Sequence, residues 1–204
     1  MYKPLTSDMN DWNTGDLLLF HSTNTNCLGK WIQRFTSSEY SHVGVILKNP
    51  QFLERPLVGL YFWESSFENY PDAEDNEKKF GVEIVDLHTL ISRVGNISLY
   101  YRKLTLENSF YLDQSILKRV HEVAHDKPYD IMPLDWIGAL FRYDRKPQKI
   151  DRFWCSALVG YIYTELGLLP YNTDWSILRP SDFSTENKNL PLINCKLEKE
   201  VKIN

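Results

Sequence analysis

The apolar residues in the first half of the chain fall in short, separate runs. These runs are rich in β-branched and aromatic side chains, a composition typical of strands. Apolar side chains at helical spacing predict two short helices between the runs, at residues 28–35 and 87–94. The predicted strands cover residues 15–20, 42–48, 58–65, 82–87 and 97–104.

The second half of the chain has a helical pattern instead. Three helices are predicted, at residues 109–125, 133–143 and 154–166, and Gly167 lies in the usual position just past the last of them. The alternating tail at residues 194–204 predicts an edge strand. Strands followed by helices are typical of an α+β domain, so we expect an antiparallel sheet packed against helices.

Length and composition favour one domain spanning residues 1–204. The chain is 43% hydrophobic and 14% aromatic, which suffices for a sizeable core. Its net charge of −4 argues against a nucleic-acid partner, because such proteins usually carry an excess of Lys and Arg. No apolar run approaches the roughly 18 residues of a membrane span, so we expect at most peripheral membrane contact.

The cysteines and the N-terminal residues bear on the compartment. Cys27, Cys155 and Cys195 are an odd number, and the first residues lack the basic and then apolar build of a signal peptide. We therefore expect a reducing, cytoplasmic location. The sequence leaves the oligomeric state open.

Cys155 opens the predicted helix whose buried stripe includes Leu158 and Ile162. The first turn of a helix offers free N–H groups and the positive end of the helix dipole, and both favour a thiolate, the nucleophilic form of cysteine. A small buried core cysteine is the plain alternative. The two interpretations weigh about equally unless a base lies near the thiol.

A base and an orienting acid are available on two of the predicted strands. His42 opens one strand, and an imidazole can take a proton from a thiol and later hand it to a leaving group. Glu64 interrupts the aromatic run of the next strand and can orient that imidazole. The alternatives are a structural histidine at a strand end and a solvent-facing glutamate.

Residues 121–125, HEVAH, have the HExxH spelling of zinc peptidases, in which two histidines four apart share one face of a helix. Pro128 disfavours helical geometry before it, so the second histidine falls in the last turn. A third ligand is also needed, and the nearby carboxylates, Asp144 and Asp151, lie in a charged loop. We expect an outer helix with no metal, and keep a zinc metallopeptidase as a lesser alternative.

An ordered set of segments resembles a known family. The set is, in chain order, GDLLLF, YSHVGVIL, YFWESS, KPYD and FWCSALVGYIY. It is similar to the circularly permuted branch of the NlpC-type, papain-like cysteine hydrolases, the YiiX-like group of bacteria and poxviruses, in which the histidine strand precedes the cysteine helix. The resemblance spans about residues 15–167. It implies a permuted papain-like fold and, if the chain is viral, a virion or host-cell cytoplasm location.

The resemblance also implies roles for individual residues. It makes Cys155 the nucleophile, His42 the general base and Glu64 the orienting acid, and it places Tyr129 of KPYD near substrate. We therefore expect a cysteine hydrolase or acyltransferase that cleaves an amide or ester bond through a thioester, without a cofactor. Its substrate would be a small molecule, a peptide-like amide or a lipid acyl group. A catalytically inactive binding protein on the same fold is the alternative.

Overall fold

The computed structural model describes residues 9–21, 39–66, 70–129, 150 and 152–204. Within these residues the chain forms eight strands and three α-helices, with short 3-10 turns at Met9–Asp11, Trp175–Ile177 and Pro180–Phe183. The strands are β1 (Leu17–His21), β2 (Tyr40–Lys48), β3 (Leu60–Ser66), β4 (Gly81–Asp86), β5 (Ser98–Arg102), β6 (Leu104–Leu106), β7 (Cys195–Leu197) and β8 (Val201–Lys202). The helices are α1 (Leu87–Arg93), α2 (Gln114–Ala124) and α3 (Cys155–Glu165).

Six strands form one antiparallel sheet in the order β4-β3-β2-β1-β5-β8. The remaining two, β6 and β7, pair with each other in a small separate ribbon. The first four strands lie side by side in chain order, and β5 pairs with the free edge of β1. The fold is therefore α+β with an antiparallel sheet, as the hydrophobic pattern predicts.

The sheet separates two apolar clusters. Helix α3 packs on one face, where Leu158 and Ile162 are fully buried with Trp63 of β3 in the larger cluster. The other face is covered by the smaller cluster, which includes Trp12 and Leu90 of α1. Burial on both faces explains why β1 is apolar nearly throughout and β3 begins with four consecutive apolar or aromatic residues instead of alternating.

All five predicted strands are present, with one difference. The run at 97–104 divides into β5 and β6 because the backbone N–H of Leu104 donates to the buried Asp16 carboxylate at 2.8 Å instead of to a neighbouring strand. The tail contributes β8 at the sheet edge beside β5, as predicted, and also β7.

The helix predicted at 109–125 begins only at Gln114. Asp113 caps it by accepting from the Ser115 N–H at 2.7 Å, which fixes the start of α2. The helices predicted at 28–35 and 133–143 lie outside the described residues, as do Cys27, Asp144 and Asp151. None of the α-helices in the described part of the chain has the length and apolar character that a membrane crossing requires.

Candidate active site

Helix α3 begins at Cys155, with Trp154 as its N-cap in extended conformation. The Trp154 side chain makes no capping hydrogen bond, and its carbonyl accepts the first helical bond, from Leu158 at 3.0 Å. The N–H groups of the first turn have no carbonyl partner within the helix, so they can bind an anion. The thiol of Cys155 lies at this end and is 3% exposed.

Two buried serines fix the start of α3. The Ser65 hydroxyl of β3 donates to the Phe153 carbonyl at 2.7 Å, and the Ser156 hydroxyl donates to the Leu178 carbonyl at 2.7 Å. Both hydroxyls replace the water that these carbonyls would otherwise need. The segment just before α3 is thereby tied to the strand that carries Glu64.

His42 lies beside Cys155 and Glu64 and joins them. Its imidazole shares a hydrogen bond with the Cys155 thiol, and its Nε2 contacts Glu64 Oε2 closely. Because Nε2 is engaged by the carboxylate, Nδ1 is the nitrogen left to exchange a proton with the thiol. The ring edge of Phe20 packs against the imidazole, with ring centroids 5.0 Å apart. The structure thus brings the three residues singled out in the sequence into one hydrogen-bonded series.

The surroundings of His42 favour its charged form. Burial alone would lower the pKa of the imidazole, but the charges of Cys155 and Glu64 and the hydrogen bonds with both outweigh it. The pKa of His42 therefore lies well above its usual range. An imidazolium between a sulfur and a buried carboxylate is the arrangement that accompanies a thiolate nucleophile.

Glu83 is a fourth buried group at this site, and the sequence analysis missed it. It lies on β4 directly opposite Glu64, and the two residues are 1% and 2% exposed. Its Oε1 accepts from the Ser66 hydroxyl at 2.9 Å, and its Oε2 has no hydrogen-bond partner among the described residues. Burial, together with the charges of Glu64 and Asp72, raises the pKa of Glu83 to about 9. Glu83 is therefore a neutral carboxylic acid at pH 7.

A sequence signal for Glu83 exists, although it is weak. The strand at 82–87 is apolar apart from its acids, and Glu83 interrupts it as Glu64 interrupts the strand before. If both strands are known to be buried on both faces, Glu64 and Glu83 are both predicted to be buried. The register that sets them opposite each other can be read only from the paired strands.

Tyr129 is buried, and its backbone pairs with a residue just before α3. It forms an isolated parallel bridge with Phe153, two residues before Cys155, and its N–H donates to the Phe80 carbonyl at 3.2 Å. The neighbouring Pro128 carbonyl accepts from the Phe153 N–H at 3.2 Å. Tyr129 thus lies on a wall next to the start of α3.

The two histidines of HEVAH lie at the end of α2, where His125 is the C-cap. His121 Nε2 is 2.8 Å from Glu74 Oε2, and His125 Nδ1 is 3.5 Å from the same oxygen. Glu122, the residue that would activate water in a zinc peptidase, is exposed. Glu74, from the acidic segment upstream, is therefore the carboxylate that contacts both histidines, and Asp126 contacts His125 from the other side.

The chain is similar in structure to at least one protein of known structure. No family model matches the sequence, and no curated protein matches it. The chain is similar to the crystal structure of metalloprotein yiiX from Escherichia coli O157:H7, with 18% sequence identity and a TM-score of 0.45. The similarity covers 94% of this chain and 96% of that chain. At this level it assigns no activity, so function is inferred from the site itself.

Proposed function

We propose that this protein is a cysteine hydrolase or acyltransferase in which Cys155 is the nucleophile, His42 the general base and Glu64 the orienting acid. The observation that carries the proposal is the hydrogen-bonded series from the Cys155 thiol through the His42 imidazole to the buried Glu64 carboxylate. A nucleophile, a base and an orienting group in contact are the parts that thiol acyl transfer requires.

The first half of the reaction forms a thioester. The Cys155 sulfur attacks the carbonyl carbon of an amide or ester, and the carbonyl oxygen gains the negative charge. The free N–H groups in the first turn of α3 stabilise this oxyanion. The bond from carbon to the leaving nitrogen or oxygen then breaks, and the His42 imidazolium gives that atom its proton.

The second half of the reaction regenerates the thiolate. His42, now neutral, takes a proton from water as the water oxygen attacks the thioester carbon. The carbon–sulfur bond breaks, a carboxylic acid leaves, and the thiolate and imidazolium are restored. An alcohol or amine in place of water would make the enzyme an acyltransferase by the same proton movements.

The architecture that we propose for this activity is a circularly permuted, papain-like fold of the NlpC type. Its support is the order of the parts: the strand with His42 precedes the strand with Glu64, and the helix with Cys155 comes last. The same order characterises the YiiX-like group, whose poxvirus members the sequence also resembles. A cytoplasmic location fits a reactive thiol and remains part of the proposal.

The proposed substrate is a peptide-like amide or a lipid acyl group. Tyr129 is the residue proposed to contact it, because Tyr129 is bridged to Phe153 on the wall beside the nucleophile helix. Aromatic side chains near the site, including Phe20 and Trp154, suit an apolar acyl portion. The proposal involves no nucleic acid and at most peripheral membrane contact.

Thiol labelling followed by mass spectrometry tests the proposal. A small iodoacetamide probe should label Cys155 at least tenfold faster than Cys195, although both thiols are buried. Cys195 is the internal comparison, because burial raises the pKa of its thiol to about 11. Cys195→Ala should leave the fast phase intact, and Cys155→Ala should remove it.

Two outcomes would count against the proposal. Equal labelling rates for the two thiols would show that Cys155 is not activated, which favours an inactive binding protein on this fold. Fast labelling that persists in His42→Ala would show that the imidazole does not serve the thiol. Loss of the fast phase in both Cys155→Ala and His42→Ala is the expected result.

A further inference from the structure

Three ligand-type side chains meet outside the proposed active site. Glu74, His121 and His125 each offer one oxygen or nitrogen, and the three atoms lie within 4.8 Å of one another. The side chains of His121 and Glu74 are 12% and 17% exposed, and that of His125 is 36% exposed. The cluster joins the segment before β4 to the end of α2, two parts of the chain that are 47 residues apart.

Each ring nitrogen of His125 faces a carboxylate oxygen, an arrangement that suits a bound cation. Its Nε2 is 3.2 Å from Asp126 Oδ2, and its Nδ1 is 3.5 Å from Glu74 Oε2. A neutral imidazole carries one N–H, so it can donate to only one of these two oxygens. When it donates to Asp126, Nδ1 is the ring nitrogen left facing the Glu74 oxygen, and a cation between these two atoms would be bound by both.

His121 is oriented toward the same oxygen by its neighbours. Its ring lies against Phe52 and Trp63, with centroid distances of 5.8 Å and 6.0 Å, and its Nε2 is 2.8 Å from Glu74 Oε2. Its ring centroid is 4.8 Å from that of His125. The two imidazoles therefore present nitrogen atoms to one carboxylate from one end of α2.

We propose that Glu74, His121 and His125 form a structural binding site for a divalent ion of the zinc class. Two imidazoles and one carboxylate are ligands that zinc accepts, and a water can complete the tetrahedron. Tetrahedral ligands at zinc bond lengths lie about 3.4 Å apart. The 3.5 Å separation of Glu74 and His125 matches this value, and the 2.8 Å contact of Glu74 with His121 has to open by about half an ångström.

Asp126 supplies the outer support that ligating histidines usually have. Its Oδ2 faces Nε2 of His125, the ring nitrogen that the metal would not use, and fixes the ring orientation. Asp126 is held in turn by Lys79, which also contacts Asp72 and Asp75. The ion pairs of Lys79 thus connect the acidic segment before β4 to the end of α2 beside the proposed ligands.

The site would support the wall beside the nucleophile and take no part in peptide cleavage. Glu122 is exposed, so the HExxH motif lacks a water-activating glutamate that faces the ligands. Downstream of His125, the Lys127 carbonyl accepts from the Val82 N–H at 2.9 Å, and the Pro128 carbonyl accepts from the Phe153 N–H. A metal would link the segment before β4 to the end of α2, next to the point where Val82 pairs with Lys127.

Zinc titration of the full-length protein tests the proposal. Calorimetry should show one zinc ion bound per chain. At zinc concentrations about 100-fold above the dissociation constant, the melting temperature should rise by about 5 °C. His121→Ala and Glu74→Gln should abolish both effects, and Glu74→Gln keeps the side-chain size. Glu122→Ala is the matched control in the same motif and should bind as the wild type does.

Cobalt spectroscopy separates this site from the cysteine. Bound cobalt(II) should show ligand-field bands of nitrogen and oxygen ligands without sulfur-to-metal charge transfer, and the bands should persist in Cys155→Ala. Binding that is lost in Cys155→Ala would place the ion at the proposed active site and overturn the proposal. Absence of binding would also overturn it.

Discussion

Glu64 and Glu83 face each other directly across β3 and β4, and both are almost completely buried. Two ionised carboxylates at this spacing would repel strongly, since little water is present to screen them. The structure avoids the repulsion because Glu83 keeps its proton, which leaves Glu64 as the charged partner of His42. The pair therefore carries one negative charge, on Glu64, which contacts the His42 imidazole.

The first prediction concerns how stability depends on pH through Glu83. Its pKa is about 9 in the folded protein and near 4.5 in the unfolded chain, so the folded state binds a proton that the unfolded state lacks between these values. The free energy of unfolding should therefore decline from about pH 4.5 to about pH 9. Glu83→Gln mimics the neutral acid and should make this decline shallower, while the raised pKa of His42 contributes the part that remains above about pH 6.5. Chemical denaturation across that pH range measures it.

The control for this prediction is an exposed acid. Glu122→Gln should leave the dependence of stability on pH as in the wild type, because its carboxylate is exposed in the folded protein. If the free energy of unfolding depended on pH in the same way in Glu83→Gln and in the wild type, the assignment of a proton to Glu83 would be wrong.

The second prediction concerns the charge on His42. Glu64→Gln keeps a hydrogen-bond acceptor for the imidazole and removes the negative charge that stabilises the imidazolium. The pKa of His42 should therefore fall, because the charge of Glu64 is one of the causes that raise it. Nuclear magnetic resonance titration of the His42 ring protons measures the change. An unchanged titration would show that Glu64 does not set the charge state of His42. Labelling of Cys155 should slow only moderately in Glu64→Gln.

The third prediction separates the residues by their effect on turnover. Cys155→Ala should abolish turnover and leave folding nearly intact, and His42→Ala should be nearly as damaging. His121→Ala and Glu122→Ala should keep activity within a few fold of the wild type, because neither residue belongs to the hydrogen-bonded series. Rates with a panel of amides, esters and thioesters, or probe labelling where turnover is slow, measure the pattern. Large losses in His121→Ala and Glu122→Ala with full activity in His42→Ala would favour the zinc peptidase.

The fourth prediction concerns Ser65, which ties β3 to the residues before the nucleophile. Ser65→Ala removes the donor to the buried Phe153 carbonyl and should lower the free energy of unfolding by about 1–3 kcal/mol. Labelling of Cys155 should slow as well, because the start of α3 loses its tie to the strand of Glu64. Ser92→Ala is the control, since its hydroxyl donates to the Thr89 carbonyl on the exposed side of α1. An effect on stability with no effect on labelling would limit Ser65 to a packing role.

The fifth prediction concerns the glycine two residues after His42. A Cβ at Gly44 would lie 2.4 Å from the Phe62 ring and 2.8 Å from the Trp63 carbonyl oxygen. Gly44→Ala should destabilise the protein by about 1–3 kcal/mol, because β3 has to move away. Gly95→Ala, at a position with open space and positive φ, reports the backbone cost alone. Thermal or chemical denaturation of both variants checks the difference.

The strands could be predicted because their apolar runs are separate from one another and rich in β-branched and aromatic residues. The start of α3 also followed from the sequence, since Cys155 precedes an apolar stripe at helical spacing. His42 and Glu64 were selected by residue type and by the family resemblance. The structure brings them together with Cys155, and their catalytic roles stay predictions that the experiments above address.

Other features could not be predicted because they depend on tertiary contacts. The partnership of Glu74 with His121 joins a loop to a helix, and the hydrophobic pattern carries no information about such a contact. The break between β5 and β6 needs the Asp16 carboxylate beneath Leu104. The register of β3 and β4, which makes Glu83 the neighbour of Glu64, is likewise fixed only when the strands pair.

The order of the parts along the chain has a consequence for protein synthesis. His42 and Glu64 are 22 residues apart and leave the ribosome early, whereas the tie from Ser65 to Phe153 spans 88 residues. Contacts of long sequence separation form late, and the N-terminal part of a chain emerges first. A nascent chain can therefore bring His42 and Glu64 together before Cys155 reaches them. The reactivity proposed for Cys155 would arise only when the fold is nearly complete.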